Sequence, residues 1–164
     1  MILLTSFADA DAPQAVLTLS LTWQERAYSR LQSRLSSGDA VILMLPHGTH
    51  LQDGDRLWSD DGRVVQVEAA LESLLRVEAD DPRLLLRAAY HVGNRHAPLQ
   101  VGEGFLLLPE DELLAALLRQ LGCRVTAVRA PFEAERGAYA GGHHHHDEDE
   151  EEGKGHTPHI HAFG

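Results

Sequence analysis

The spacing of apolar residues changes near residue 70, and this change limits the folds that the chain can adopt. Before it, short apolar segments such as "VLTLSL" (16–21) and "AVILML" (40–45) are separated by turn-forming residues, a pattern typical of β-strands. After it, longer segments with helical spacing appear between the strands. We therefore predict a domain boundary within residues 69–74, with an N-terminal β domain in residues 1–72 and a second domain in residues 73–140.

Turn signals divide the N-terminal part of the chain into short strands. The segments "SSGDA" (36–40), "LQDGDRL" (51–57) and "SDDGRVVQV" (59–67) place glycine beside aspartate between short apolar segments, and each predicts a hairpin. One helical turn is predicted at "TWQE", because Thr22 and Glu25 have the spacing of a capping box. Apart from this turn, the first domain is predicted to be all-β.

The first helix of the second domain has clear start and stop signals. It lies in "DDPRLLLRAAYHVGN" (80–94) and follows a predicted strand, "LLRVEA" (74–79). Asp81 has the position of an N-cap and Pro82 that of the first helical residue. Gly93 is predicted to end the helix in the left-handed conformation, which glycine adopts without steric cost.

The later segments predict the rest of this domain. "PLQVGEGFLLLP" (98–109) predicts two strands around a Gly-Glu-Gly turn, and "EDELLAALLRQLG" (110–122) predicts a helix with acids in its first turn and an arginine in its last. "CRVTAVRAPF" (123–132) alternates as a final strand. The order β-α-β-β-α-β is that of a ferredoxin-like domain. The predicted fold class is therefore α+β: an all-β domain, a ferredoxin-like domain and a disordered C-terminal tail.

Composition argues against several classes of function. The formal net charge of −11 repels phosphate backbones, so no nucleic-acid partner is predicted. Cys123 is the only cysteine, which excludes an internal disulfide and a cysteine-rich metal site, and we predict that it packs in the core. No apolar run approaches the roughly 20 residues that span a bilayer, and the first residues lack the features of a signal peptide. We therefore expect a soluble cytoplasmic protein.

The tail in residues 141–164 is rich in histidine and acid, and it has little to bury. It carries six acidic residues and one lysine, which leaves −6 of the net charge to residues 1–140. Imidazole binds zinc, copper and nickel, and carboxylates attract divalent cations. An affinity tag would be a uniform histidine run, and a solubilising acidic tail would need no histidine. We predict a disordered metal-binding tail with the ligands His143, His144, His145, His146, His156, His159 and His161.

Four histidines precede the tail, and one of them is a candidate ligand. His96 follows a helix C-terminus, whose partial negative charge attracts cations. One imidazole is too few to hold an ion, but a two-fold symmetric dimer would bring two copies of His96 together. We predict that His91 caps its helix and that His47 and His50 are turn residues.

The segment "YHVGNRHAPLQ" (90–100) resembles a motif of the UreE family of urease accessory proteins, which are nickel metallochaperones. The similarity extends to the histidine-rich end and to "LTWQERAYSRL" (21–31), "LPHGTHLQDGDRLWSDDGRVVQVEAA" (45–70), "LLRQLG" (117–122) and "APFEAERGAY" (130–139). This resemblance implies an N-terminal domain that contacts protein partners, a ferredoxin-like metal-binding domain and a homodimer. The metal ligand near the dimer axis would be the histidine of the GNRH motif, here His96.

The resemblance also implies a partner and a cargo. Family members deliver Ni²⁺ to the urease apoprotein together with an accessory GTPase. Some relatives carry further histidines beyond this loop, whereas "LLLPEDELL" (106–114) has none, so additional metal capacity would lie in the tail. We predict a non-enzymatic homodimeric nickel metallochaperone whose ligands also bind Zn²⁺ and Cu²⁺.

Two other functions use the same residues. One alternative is a general divalent-metal buffer or storage protein, which would have no client. The other is a metal-dependent hydrolase at His96, although no general base lies near it in the sequence.

Overall fold

The computed structural model describes residues 1–135, which form two β-sheets. The first sheet has six strands in the order β2-β6-β5-β1-β4-β3. Its elements in chain order are β1 (Ile2–Phe7), β2 (Leu17–Leu21), α1 (Trp23–Arg26), β3 (Arg30–Arg34), β4 (Ala40–Met44), β5 (Arg56–Ser59) and β6 (Val64–Ala69). The predicted tail in residues 141–164 lies outside the described residues.

Strand β1 holds the two halves of this sheet together. It pairs in parallel with β4 on one side and antiparallel with β5 on the other. The hairpins predicted at 36–40 and 59–67 are confirmed, because β3 pairs with β4 and β5 with β6. The hairpin predicted at 51–57 is wrong, since β1 lies between the two strands that this segment connects.

The predicted helical turn is confirmed as α1. The Thr22 side chain accepts a hydrogen bond from the backbone N–H of Glu25, and the Glu25 carboxylate accepts one from the backbone N–H of Thr22. This reciprocal capping box satisfies two donors that a helix start otherwise leaves unpaired. The inward side of the sheet packs leucine and valine side chains into one apolar core, which includes Leu4, Leu43 and Leu57.

The second sheet has four strands in the order β10-β7-β9-β8, and each neighbouring pair is antiparallel. Its elements in chain order are β7 (Glu72–Glu78), α2 (Pro82–Asn94), β8 (Gln100–Gly102), β9 (Phe105–Pro109), α3 (Glu112–Gln120) and β10 (Arg124–Ala130). This β-α-β-β-α-β arrangement confirms the ferredoxin-like prediction.

Each face of this sheet has its own apolar cluster. Both helices cover one face, where Leu75, Val77 and Leu106 pack with Ala88 and residues of α3. Leu74 and Leu107 point to the opposite face because successive side chains of a strand alternate. No helix within residues 1–135 is both long and apolar enough to cross a membrane.

The start of α2 is as predicted, and its end is not. The Asp81 side chain accepts from the N–H of Arg83, and Pro82 opens the helix. Gly93, however, lies inside the helix, and its φ is not positive. The prediction that Gly93 stops the helix in the left-handed conformation is therefore wrong.

Gly102 leaves room for an aromatic ring between adjacent strands. It pairs with Phe105 across the β8–β9 hairpin, and a Cβ atom at this position would overlap the Phe105 ring. The guanidinium of Arg76 lies over the same ring, 3.8 Å from its centroid. The ring is therefore held between neighbours that leave little room for it to move.

We predict that Gly102→Ala lowers the free energy of unfolding by about 1–3 kcal/mol, because the methyl group displaces the Phe105 ring. Urea denaturation measures the change. The matched control is Gly93→Ala, where no atom lies within 4 Å of the added methyl group apart from the chain neighbours and the backbone of its own helix. That variant should be more stable than the parent by about 0.5–1 kcal/mol, since alanine favours a helix interior. Equal effects in both variants would contradict the prediction.

Candidate metal centre

His96 occupies the position where a helix normally ends with glycine. The backbone N–H of His96 donates to the Gly93 carbonyl at 2.9 Å, and the N–H of Ala97 donates to the Val92 carbonyl at 3.4 Å. These two bonds form a Schellman motif in which His96 is the left-handed residue. Its φ is +54°, the only positive φ of a non-glycine residue within residues 1–135.

The apolar core decides where this helix ends. A Schellman motif frequently includes an apolar contact between the residue after the left-handed one and the last turn of the helix. Here Ala97 and Val92 belong to the same core cluster. If Gly93 were the left-handed residue, the next residue would be Asn94, which is polar and exposed. The motif therefore forms three residues later than the glycine predicts, on His96.

Helix α3 ends with the same motif and the usual residue. The N–H of Gly122 donates to the Arg119 carbonyl at 3.0 Å, and the N–H of Cys123 donates to the Leu118 carbonyl at 3.1 Å. Gly122 has a φ of +99°. A residue with a Cβ loses roughly 1 kcal/mol in this conformation, so His96 is a locally unfavourable choice. Such a choice at an exposed position is typical of a functional residue.

The surroundings of His96 favour a cation but do not complete a site. His96 is exposed, and it follows the last turn of α2, where carbonyl groups give a partial negative charge. Within residues 1–135, no group of three or more histidine, cysteine, aspartate or glutamate side chains is placed to hold a metal ion. Among the described residues, His96 therefore has too few neighbouring ligand side chains to hold a metal ion alone.

The other three histidines of the described part have separate surroundings. His91 lies in the last turn of α2, and its ring packs edge to face with Tyr90 at 5.5 Å. Backbone N–H groups of His96 and Ala97 cap the helix, so the prediction that His91 caps it is wrong.

His47 and His50 follow β4, in the loop where they are predicted. His47 is exposed and lines a cleft of about 780 Å³ that also includes Tyr28 and Pro46. The ring of His50 lies 6.3 Å from that of Trp23, and its Nδ1 is 3.2 Å from the Leu51 carbonyl oxygen. The two rings therefore have different neighbours.

Cys123 does not offer a metal ligand. Its side chain is buried in the cluster beneath the helices, as predicted. This burial raises the pKa of the Cys123 thiol above its usual value, which disfavours the thiolate form that binds metals.

After β10, residues 131–135 cross the open face of the second sheet, and we call them the crossing segment. Strand β10 is one edge of this sheet and β8 is the other. Phe132 is fully buried on the face opposite the helices, between Leu74 and Leu107. Its ring packs edge to face with that of Trp23 from α1, with centroids 5.9 Å apart.

A buried arginine of the first domain holds the middle of the crossing segment. Arg26 is completely buried, and its Nη1 pairs with the Glu133 carboxylate. Its Nη2 donates to the Phe132 carbonyl at 2.5 Å. The sequence gives no sign of this role, because a buried arginine and a surface arginine look alike in it.

The end of the crossing segment lies beside the strand that follows the His96 loop. The backbone N–H of Glu133 donates to Gln100 Oε1 at 2.9 Å, and that of Glu135 donates to the Leu99 carbonyl at 2.7 Å. The Glu135 carboxylate accepts from the N–H of Val101 at 3.4 Å. The candidate ligands His143, His144, His145, His146, His156, His159 and His161 follow this point and lie outside the described residues.

Helix α2 also presents apolar side chains to solvent. Leu86 and Tyr90 are 72% and 66% exposed and lie one turn apart on the helix that ends at His96. Val101, also exposed, lies on the helix-bearing side of the sheet, because it pairs with Leu106 of the cluster beneath the helices.

In comparisons with known proteins, both parts of the chain are similar to the same family. The family model for the UreE urease accessory protein, N-terminal domain, matches residues 4–70, and that for its C-terminal domain matches residues 72–161. A urease accessory protein UreE of Ectopseudomonas mendocina is 50% identical over 156 residues, which are 93% of each chain. The UreE proteins of Burkholderia lata and Cupriavidus necator are 52% and 49% identical over 77% and 76% of this chain. The chain spans less than two thirds of their length, 61% and 65% respectively.

We predict that His96→Gly leaves the metal-free protein as stable as the parent or more stable, by up to about 1 kcal/mol, because glycine relieves the left-handed strain. The gain is limited by the greater freedom of glycine in the unfolded chain. Urea denaturation without metal measures it. The matched variant Gly122→Ala introduces the same strain at the end of α3 and should lose about 1 kcal/mol. A measurable loss of stability in His96→Gly would contradict the assignment.

Proposed function

Because this chain belongs to the UreE family of urease accessory proteins, we propose that it binds Ni²⁺ and donates it to apo-urease during assembly of the urease metallocentre. The observation that carries the proposal is His96, an exposed imidazole held in a glycine position at the end of α2. Ni²⁺ is the cargo, and the protein captures and releases it in the cytoplasm without a catalytic step of its own.

A second copy of the chain supplies the missing imidazole. Burying Leu86 and Tyr90 against the same residues of another copy would form a two-fold symmetric contact along α2. If the two-fold axis runs roughly along α2, the two helices lie side by side in parallel and both His96 side chains lie at the same end of the contact. Both would bind one Ni²⁺, and water or tail histidines would complete its coordination.

A centre of this kind favours transfer over storage. Its ligands are imidazoles and water, with no thiolate, because Cys123 is buried in the core beneath the helices. Imidazole does not by itself prefer nickel to copper or zinc, so Zn²⁺ and Cu²⁺ would also bind. Selection of nickel would then depend on the metal supply or on the complex formed with the urease apoprotein and the accessory GTPase.

The position of Glu135, six residues before the tail, supports a role for the tail histidines. Glu135 is hydrogen-bonded to Leu99, which is three residues from His96. His143 lies eight residues after Glu135, and a chain of eight residues spans at most about 28 Å. The first tail histidines therefore have the length of chain needed to meet His96. We propose that the tail captures Ni²⁺ and passes it to the shared centre.

The proposal is tested by removing each set of ligands. His96→Ala should abolish the tight Ni²⁺ site while weaker binding by the tail persists, and calorimetric titration with Ni²⁺ distinguishes the two. Truncation after Gly142 should reduce the number of ions bound and leave the stability of the metal-free protein nearly unchanged. His91→Ala, five residues from His96, is the matched control and should retain the tight site.

The same His96→Ala variant separates delivery from storage. In cells with limiting nickel it should lower urease activity and leave nickel tolerance unchanged. A metal buffer would show reduced tolerance with normal urease activity. Unchanged tight Ni²⁺ binding by His96→Ala would refute the proposed centre.

For the dimer, we predict that Leu86→Glu yields a monomer that has also lost the tight Ni²⁺ site, because the contact would bury two like charges. Sedimentation equilibrium and calorimetry measure both properties. Leu113→Glu is the matched control, since Leu113 is 74% exposed on α3, and it should remain a dimer with normal binding. A dimeric Leu86→Glu protein with intact binding would place the contact elsewhere.

A further inference from the structure

We infer that Arg26 is a positioning residue for metal transfer: it holds the crossing segment in place, so that the chain beyond Glu135 starts beside the His96 loop. The inference rests on the proposed function, because it concerns how tail histidines meet His96. It adds a residue of the N-terminal domain that binds no metal itself.

Both terminal nitrogens of Arg26 donate hydrogen bonds to acceptors in the crossing segment. Nη1 pairs with the Glu133 carboxylate, and Nη2 donates to the Phe132 carbonyl. The Nε atom is buried and has no hydrogen-bond partner within residues 1–135. A buried guanidinium is costly unless it is paired and hydrogen-bonded. The arginine therefore strongly favours conformations in which residues 132 and 133 are in place.

Arg26 is itself held from the side of the first domain. Its backbone carbonyl accepts from the N–H of Leu51 at 2.8 Å, and its N–H donates to the Thr22 carbonyl at 3.0 Å. Trp23, from the same helix, donates its backbone N–H to Glu72 at 2.7 Å. Helix α1 is thus fixed between the two sheets, and Arg26 extends from a rigid support towards the crossing segment.

The crossing segment determines where the chain that leads to the tail leaves the second sheet. Without it, the segment leading to His143 would start after Ala130 at the end of β10, on the opposite edge of the sheet from β8. Three strand spacings, about 14 Å, separate these edges. The segment leading to His143 would also lengthen from eight residues to thirteen.

These two changes set the size of the expected effect. A flexible chain of eight residues has an average end-to-end distance of about 16 Å. Lengthening it to thirteen residues lowers the local concentration of its end about two-fold, and moving its start by about 14 Å lowers it about two-fold again. Release of the crossing segment should therefore weaken the contribution of the tail to Ni²⁺ binding at His96 about four-fold.

The test compares Arg26→Met in the full-length chain and in the chain truncated after Gly142. Calorimetric titration with Ni²⁺ measures the affinity of the site that His96→Ala removes. In the full-length chain, Arg26→Met should weaken that site about four-fold. In the truncated chain, Arg26→Met should leave the affinity unchanged, because no tail histidine remains to be positioned. Arg30→Met, which removes an exposed arginine from β3, is the control for loss of charge and should have no effect.

Equal weakening in both chains would overturn the inference, because it would show that Arg26 acts only by supporting the fold. No weakening in the full-length chain would overturn it as well. If Arg26→Met does not fold, Glu133→Gln takes its place, since Glu133 is 45% exposed and the variant keeps the shape of the side chain. A smaller effect, about two-fold and confined to the full-length chain, is then expected.

The two variants distinguish a failure of the proposed metal centre from a failure of the positioning role of Arg26. If His96→Ala leaves tight Ni²⁺ binding intact, the metal centre and this inference both fail. If His96→Ala removes tight binding and Arg26→Met acts equally with and without the tail, only the positioning role fails.

Discussion

A guanidinium fully removed from water joins the two sheets of this protein. Arg26 belongs to α1 of the first domain, and its partners Phe132 and Glu133 follow the last strand of the second. Burial of a cation costs roughly several kcal/mol unless partners compensate it, so the pairing specifies one arrangement of these elements. The edge-to-face contact of Trp23 with Phe132 lies in the same region and adds apolar burial. These contacts fix the positions of Phe132 and Glu133 at the end of the described part of the chain.

The end of α2 shows how packing and function meet at one residue. Ala97 packs in the same core cluster as Val92. This packing places the left-handed conformation on His96, the residue before Ala97. Glycine would suit that position better, as Gly122 does in α3. Histidine there combines a backbone conformation of higher energy with an exposed imidazole. This combination is expected where a side chain is kept for binding at some cost in stability.

Much of the fold was predictable because its signals are local. The capping box of Thr22 and Glu25 and the N-cap at Asp81 depend on residues a few positions apart. Strands β1 and β3 carry weaker signals: β1 combines a short apolar run with polar residues, and β3 has a single apolar residue. Their places depend on pairing with distant strands. The failed hairpin at 51–57 has the same cause, since β1 separates β4 from β5.

The sequence by itself determined the order of the elements in the second domain, the burial of Cys123 and the candidacy of His96. Hydrophobic spacing and helix start and stop signals are sufficient for the first two conclusions. The candidacy of His96 came from its place after a helix end and from the resemblance of its motif to the UreE family. Only the tertiary structure decided that His96, rather than Gly93, is the left-handed residue, and that the crossing segment ends beside Leu99, three residues after His96. Those features depend on which side chains are buried together. Arg26 and its partners are 106 and 107 residues apart, and no local pattern links residues at that separation.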